Sequence, residues 1–113
     1  MNIDIDIEAR GPKLIVRLNG ELDHHTAELF RSRVQEVLAR GKTKKIILNL
    51  SGLNFMDSSG IGVILGRYNF LKHKGGSIAV CNLQPQVKKV FYTAGLFNIF
   101  NVYGSEKEAI DNI

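Results

Sequence analysis

Asp57-Ser58-Ser59-Gly60 is the densest group of chemically useful side chains in the sequence. Two hydroxyls stand beside a carboxylate, and Gly60 and Gly62 strip away bulk next to them. The apolar run Ile46-Ile47-Leu48-Asn49-Leu50 precedes the group, and apolar residues recur at helical spacing from Ile61 to Leu71. The group therefore falls at a strand-to-helix junction, where unpaired helix N–H groups gather and carry a partial positive charge. Anions are well tolerated at such an end, so a serine there can accept a phosphate without disturbing the fold. The same place follows a strand that reads as parallel, the end at which open α/β sheets carry their sites. A plainer alternative stands beside this one: Asp and Ser at a helix start are often only caps.

The other chemistries are weaker. Gly60, Gly62 and Gly66 suggest a nucleotide loop, but the dinucleotide fingerprint needs a small residue at position 65, where Leu65 stands. The Gly-Lys-Ser/Thr of a phosphate loop is absent. His24 and His25 are neighbours that would point to different sides of a helix, and His73 lies far along the chain, so no metal or cofactor is implied. Ser58 lacks the Gly-x-Ser-x-Gly setting of a hydrolase. Cys81, the one cysteine, sits in the apolar run Ser77-Ile78-Ala79-Val80-Cys81 and reads as a buried structural thiol.

The elements that must position the junction follow from patterning. Ile3, Ile5 and Ile7 alternate with acidic residues, and Leu14, Val16 and Leu18 alternate after the turn signal Arg10-Gly11-Pro12, which predicts a hairpin. Asn19-Gly20 is read as the end of the second strand. Asp23 is placed as the N-cap of a helix carrying Ala27, Phe30, Val34, Val37 and Leu38 on one face and stopped by Gly41. Lys44 to Leu50 reads as a strand buried on both faces, hence parallel. A helix from Ser58 to Lys72 turns Ile61, Ile64, Leu65, Tyr68 and Leu71 inward and is broken by Gly75-Gly76. Ser77 to Cys81 is the next strand. Pro85 opens a helix with Val87, Val90, Phe91 and Ala94 inward and Gly95 as its stop. Ile99 to Tyr103 is a short edge strand, and Ser105 with Glu108 has capping-box spacing. The order β-β-α-β-α-β-α-β-α predicts an α/β fold: a mixed, mostly parallel sheet with packed helices.

Bulk properties restrict the function classes. With 113 residues, 44% hydrophobic and 23% charged, the chain is expected to be one domain over residues 1–113. No run approaches the roughly 18 apolar residues of a membrane span, and the start lacks a signal-peptide pattern, so a cytoplasmic location is expected. Fifteen Lys and Arg against eleven Asp and Glu give a charge of +4. The bases are scattered rather than gathered with aromatics, which argues against nucleic-acid binding.

Over essentially its whole length the chain resembles the small STAS-domain proteins that serve as bacterial anti-sigma factor antagonists, above all those of the sporulation sigma-F pathway. The resemblance rests on Asn19-Gly20-Glu21-Leu22-Asp23, on Leu50-Ser51-Gly52-Leu53, on Met56-Asp57-Ser58-Ser59-Gly60-Ile61-Gly62 continuing to Tyr68, and on Gly95-Leu96. It implies a regulator, not an enzyme. The unphosphorylated form binds an anti-sigma factor that is also a serine kinase, which frees the sigma factor. The kinase phosphorylates the antagonist, which lets go, and a PP2C-like serine phosphatase restores it. Carried over by motif position, the acceptor is Ser58. Asp23, Asp57, Ser58, Ser59, Gly60 and Gly62 are then the expected partner-contact residues. The helix N-terminus is expected to compensate part of the phosphate charge, so that release comes through blocked contact with little refolding. A competing reading is a small nucleotide-hydrolysing or phosphotransfer protein using Asp57 or Ser58. A third is a structural module of a larger signalling assembly.

Overall fold

The computed structural model describes residues 2–113. Strand β1 (Ile3–Arg10) and strand β2 (Lys13–Leu22) form an antiparallel hairpin, with Arg10 opposite Lys13. The turn between them needs Gly11, whose φ is +61°. Helix α1 (Ala27–Leu38), strand β3 (Lys45–Met56), helix α2 (Ser58–Lys72), strand β4 (Ser77–Cys81), helix α3 (Pro85–Thr93), strand β5 (Asn101–Tyr103) and helix α4 (Glu106–Asn112) follow. The sheet order is β1-β2-β3-β4-β5, antiparallel at the hairpin and parallel thereafter.

Alternation along the strands divides the interior in two. Leu14, Val16, Ile46, Leu48, Ile78 and Val80 face one way and meet Phe30 and Val34 of α1, Ile64 and Leu71 of α2, and Val87 and Phe91 of α3. Ile15, Ile47, Ala79 and Cys81 face the other way and are covered by Ala109 of α4. The successive residues Ile46, Ile47 and Leu48 are all buried, as a parallel central strand requires. Three helices thus pack on one face of the sheet and the short α4 on the other.

Several boundaries differ from the sequence reading. β2 does not stop at Asn19-Gly20 but runs to Leu22, and β3 runs past Leu50 to Met56. The two extensions pair with each other, Asn19 opposite Gly52 and Leu22 opposite Met56, across two register irregularities. Gly20 takes a φ of +112° at one of them, and Gly52 must be bare because a Cβ would collide with the Asn19 side chain. β5 begins only at Asn101, since Leu96–Asn98 forms a 3₁₀ turn after the left-handed Gly95. Ala94 is exposed rather than inward, because α3 ends at Thr93 and Ala94 lies beyond its last packed turn.

Candidate functional site

The parallel pairing of β2 with β3 brings two loops to one rim of the sheet. Leu22 and Met56 are register partners, and the Asp57 N–H donates to the Leu22 carbonyl at 3.4 Å. The turn at Asp23 and the junction at Asp57 are consequently neighbours.

Asp57 is the N-cap of α2 in extended conformation. Its Oδ1 accepts from the Ser59 N–H at 2.9 Å and the Gly60 N–H at 3.2 Å. The Ile61 N–H donates to the Asp57 carbonyl at 3.1 Å. The capping role and the candidate site therefore coincide in one residue. This arrangement alters one expectation: the helix N–H groups that were to meet a phosphate are already occupied, and only the Ser58 N–H of the first turn has no acceptor among the described residues. Ser58 itself is exposed, Ser59 is half-buried and Gly60 is buried.

Gly60 faces inward, toward the chain itself. A Cβ there would fall 2.6 Å from the Leu22 carbonyl oxygen and 2.7 Å from Met56 Cγ. Gly62 is exposed, and a Cβ there would meet nothing within 4 Å.

Asp23 is 3% exposed. Its Oδ1 accepts from the His25 N–H at 2.8 Å and the Thr26 N–H at 3.0 Å, while its own N–H donates to Thr26 Oγ1 at 2.9 Å. The reciprocal pair makes a capping box for the turn that leads into α1, where the Ala27 N–H donates to the Asp23 carbonyl at 2.9 Å. The N-cap of α1 itself is Thr26, not Asp23 as the sequence reading placed it, because residues 24–26 form a separate turn before the helix begins at Ala27. Burial pushes the Asp23 carboxyl up, but the N–H donors of Thr26 and His25 outweigh it and hold the group below the ordinary range. Its Oδ2 is buried without a hydrogen-bond partner, so the residue carries acceptor capacity that its cap does not use. His24 and His25 beside it are exposed, their rings edge to face at 5.7 Å.

A shallow groove of about 360 Å³ opens at Ser58. Met56, Ile61, Val90 and Ala94 make its apolar lining, and Asp57, Ser58, Lys89 and Thr93 supply its polar groups. The contribution of α3 was not foreseen. Its one sequence signal is that α3 follows β4, a parallel neighbour of β3, so that α2 and α3 pack on the same face of the sheet. Cys81 lies away from this groove under α4, wholly buried, its thiol pushed up to about 11 chiefly by that burial.

The arrangement defines a small α/β regulator surface: an exposed serine at a capped helix start, beside an apolar groove, on the rim where two parallel strands end. The sequence profile of the STAS domain matches residues 4–109, and the chain belongs to the STAS-domain family. It is 45% identical over 113 residues to the anti-sigma F factor antagonist of Paenibacillus polymyxa, covering 100% of this chain and 97% of that one. Among solved structures it is similar to the anti-sigma factor antagonist SpoIIAA in its unphosphorylated form, with a TM-score of 0.84, 38% identity and coverage of 96% and 94% of the two chains. It is also similar to the phosphorylated form of the Bacillus cell fate determinant SpoIIAA, with a TM-score of 0.76, 37% identity and coverage of 96% and 97%.

Proposed function

We infer that the protein is an anti-anti-sigma factor, residues 1–113 acting as one STAS unit in the cytoplasm, where sigma factors work. Its unphosphorylated form binds an anti-sigma factor that is also a serine kinase, and binding releases a sporulation sigma factor. One observation carries the reading: Ser58 is exposed at the mouth of an apolar groove, in a chain 45% identical to an anti-sigma F factor antagonist.

The switch follows from the chemistry of that serine. In phosphorylation the Ser58 O–H bond breaks and an O–P bond forms. The proton passes to a base on the kinase, and the nucleoside diphosphate leaves with its bonding electrons. A neutral hydroxyl becomes a group carrying roughly −1.5 to −2 charges. Closing an interface over it would leave two like charges, the phosphate and Asp57, in a partly dry space. At about 4 Å and an effective dielectric near 20 their repulsion is about 4 kcal/mol, equivalent to about a thousandfold in affinity. A PP2C-like serine phosphatase would reset the switch by hydrolysing the phosphoserine.

The test uses the anti-sigma factor kinase from the same genome. Incubation with ATP followed by peptide mass spectrometry should place phosphate on Ser58 and none on Ser58→Ala. Calorimetry with ADP present should show Ser58→Ala binding persistently and Ser58→Asp binding weakly. Phosphate on Ser59, or equal affinities for the two variants, would remove the basis of the reading. ATP turnover by the purified protein alone, lost in Asp57→Ala, would favour a nucleotide-hydrolysing protein instead.

A further inference from the structure

Once phosphorylated, Ser58 needs a counter-charge, and its own helix offers only the one free N–H, that of Ser58 itself. The cap carboxylate of Asp57 already takes the Ser59 and Gly60 N–H groups, and the Ile61 N–H is spent on the Asp57 carbonyl. Asp57 itself adds a negative charge next door. Among the described residues that line the groove, Lys89 of α3 is the one cation. It is exposed, and no carboxylate stands within ion-pair distance of it. Glu21 near the end of β2, opposite Phe55, and Asp23, His24 and His25 in the turn after it also carry charge or titrate near this rim, but none of them lines the groove.

We propose that Lys89 is the internal clamp of the phosphorylated state: its ammonium reaches across the groove to the phosphate on Ser58 and pairs with it. This rests on Ser58 being the phosphoacceptor. The clamp gives phosphorylation a second effect beyond charge. The lysine stem would lie over Ile61 and Val90 and cover the apolar lining that a partner must touch. In the unphosphorylated form the same ammonium is unpaired, and the groove is open.

The phosphate's second ionisation, ordinarily near pH 6, reports the clamp directly. Lys89 favours the dianion and so lowers the midpoint; Asp57 opposes it. Phosphoserine is installed at position 58 by encoded incorporation, so that the measurement does not depend on any kinase. The ³¹P resonance is then titrated at low ionic strength in the full-length protein. Lys89→Met should raise the midpoint by about 0.5 unit. Lys89→Arg should keep it near the parent value, and Lys88→Met, whose lysine does not line this groove, should leave it unchanged. A Lys89→Met midpoint equal to the parent's, or an equal rise in Lys88→Met, overturns the clamp. Neither result bears on whether a kinase chooses Ser58, which the mapping experiment decides separately.

Discussion

The carbonyl oxygen of Leu22 occupies the place where a side chain on Gly60 would begin, 2.6 Å from the position of its Cβ. The first turn of α2 is thereby seated on the end of β2, and the rim that carries both Asp23 and Ser58 is built around this contact. Leu22 is wholly buried, with Met56 on the other side of the same point. Neither a backbone carbonyl nor a buried methionine stem can retreat freely. Gly60→Ala should therefore destabilise the protein by about 1–3 kcal/mol, the usual cost of overpacking. Gly62→Ala meets open space inside a helix and should be neutral or stabilising by up to about 1 kcal/mol. Urea unfolding of the two variants checks the contrast. Because Gly62→Ala preserves the fold, any loss of partner binding in it reports a contact at that surface.

Substitution at Asp23 can test capping and recognition separately. Asn accepts the same two N–H bonds through its oxygen, so Asp23→Asn keeps the capping box and removes the charge. Stability should fall by less than about 1 kcal/mol, the cost of turning an unpartnered buried oxygen into an unpartnered amide. Binding to the anti-sigma factor should weaken at least tenfold if the unused acceptor faces a partner cation. Unchanged binding in calorimetry would leave Asp23 with its cap alone.

Much of this architecture is readable from local signals. Asp57 before Ser58, Gly75-Gly76 after Lys72 and Pro85 at the start of α3 are chemical punctuation, and those elements begin and end where the residues say. The extended ends of β2 and β3 are not readable in that way. Asn19-Gly20 and Ser51-Gly52 each look like a turn alone, and become strand through pairing distant in sequence: Asn19 lies between Asp4 of β1 and Gly52 of β3, and Gly20 between Ile3 and Leu53. The same reason hides Lys89. Its place beside Ser58 is a long-range juxtaposition created by packing α3 against the end of β3, and no spacing along the chain encodes it.

On the opposite face, Arg17 holds α4 to the sheet. Its guanidinium donates to both Glu106 oxygens at 2.8 and 2.9 Å, and to Asp6 at 2.9 Å and Glu8 at 3.0 Å. Glu106 also accepts from Asn49 at 2.7 Å. The Arg17 guanidinium holds the Glu106 carboxyl below the ordinary range; burial works against it and the Asn49 amide with it. A carboxyl depressed on folding stabilises above its unfolded value, and that stabilisation is lost as pH falls through the folded one. Melting temperatures of the parent should thus fall more steeply between pH 5 and pH 3 than those of Glu106→Gln. At neutral pH, Arg17→Met should cost about 1–2 kcal/mol, since it leaves a half-buried carboxylate with the Asn49 amide alone. Looser seating of α4 should also speed the reaction of Cys81 with a thiol reagent, because that thiol is buried beneath it. Equal reactivity in parent and variant would show that α4 is held by Ala109 and its apolar neighbours alone.

The manner of release can be read from where phosphorylation is felt. Ser58 is exposed, its helix is capped by a neighbouring side chain, and an open groove lies beside it. A phosphate can enter that space without displacing the core. The chain is also similar to SpoIIAA solved in both unphosphorylated and phosphorylated forms. Amide shifts between the two forms of this protein should accordingly be large at Met56 to Gly62 and at Lys89 to Ala94, the two walls of the groove. Val34 to Leu38 in α1 and Glu106 to Asn112 in α4 do not line it and should be nearly still. Movement in the second wall is part of the expected local response, so the distant helices are the discriminating reporters. Large shifts through α1 or α4 would mean that the phosphate rearranges the core. Release would then have to be ascribed to a conformational switch rather than to a charged and covered contact surface.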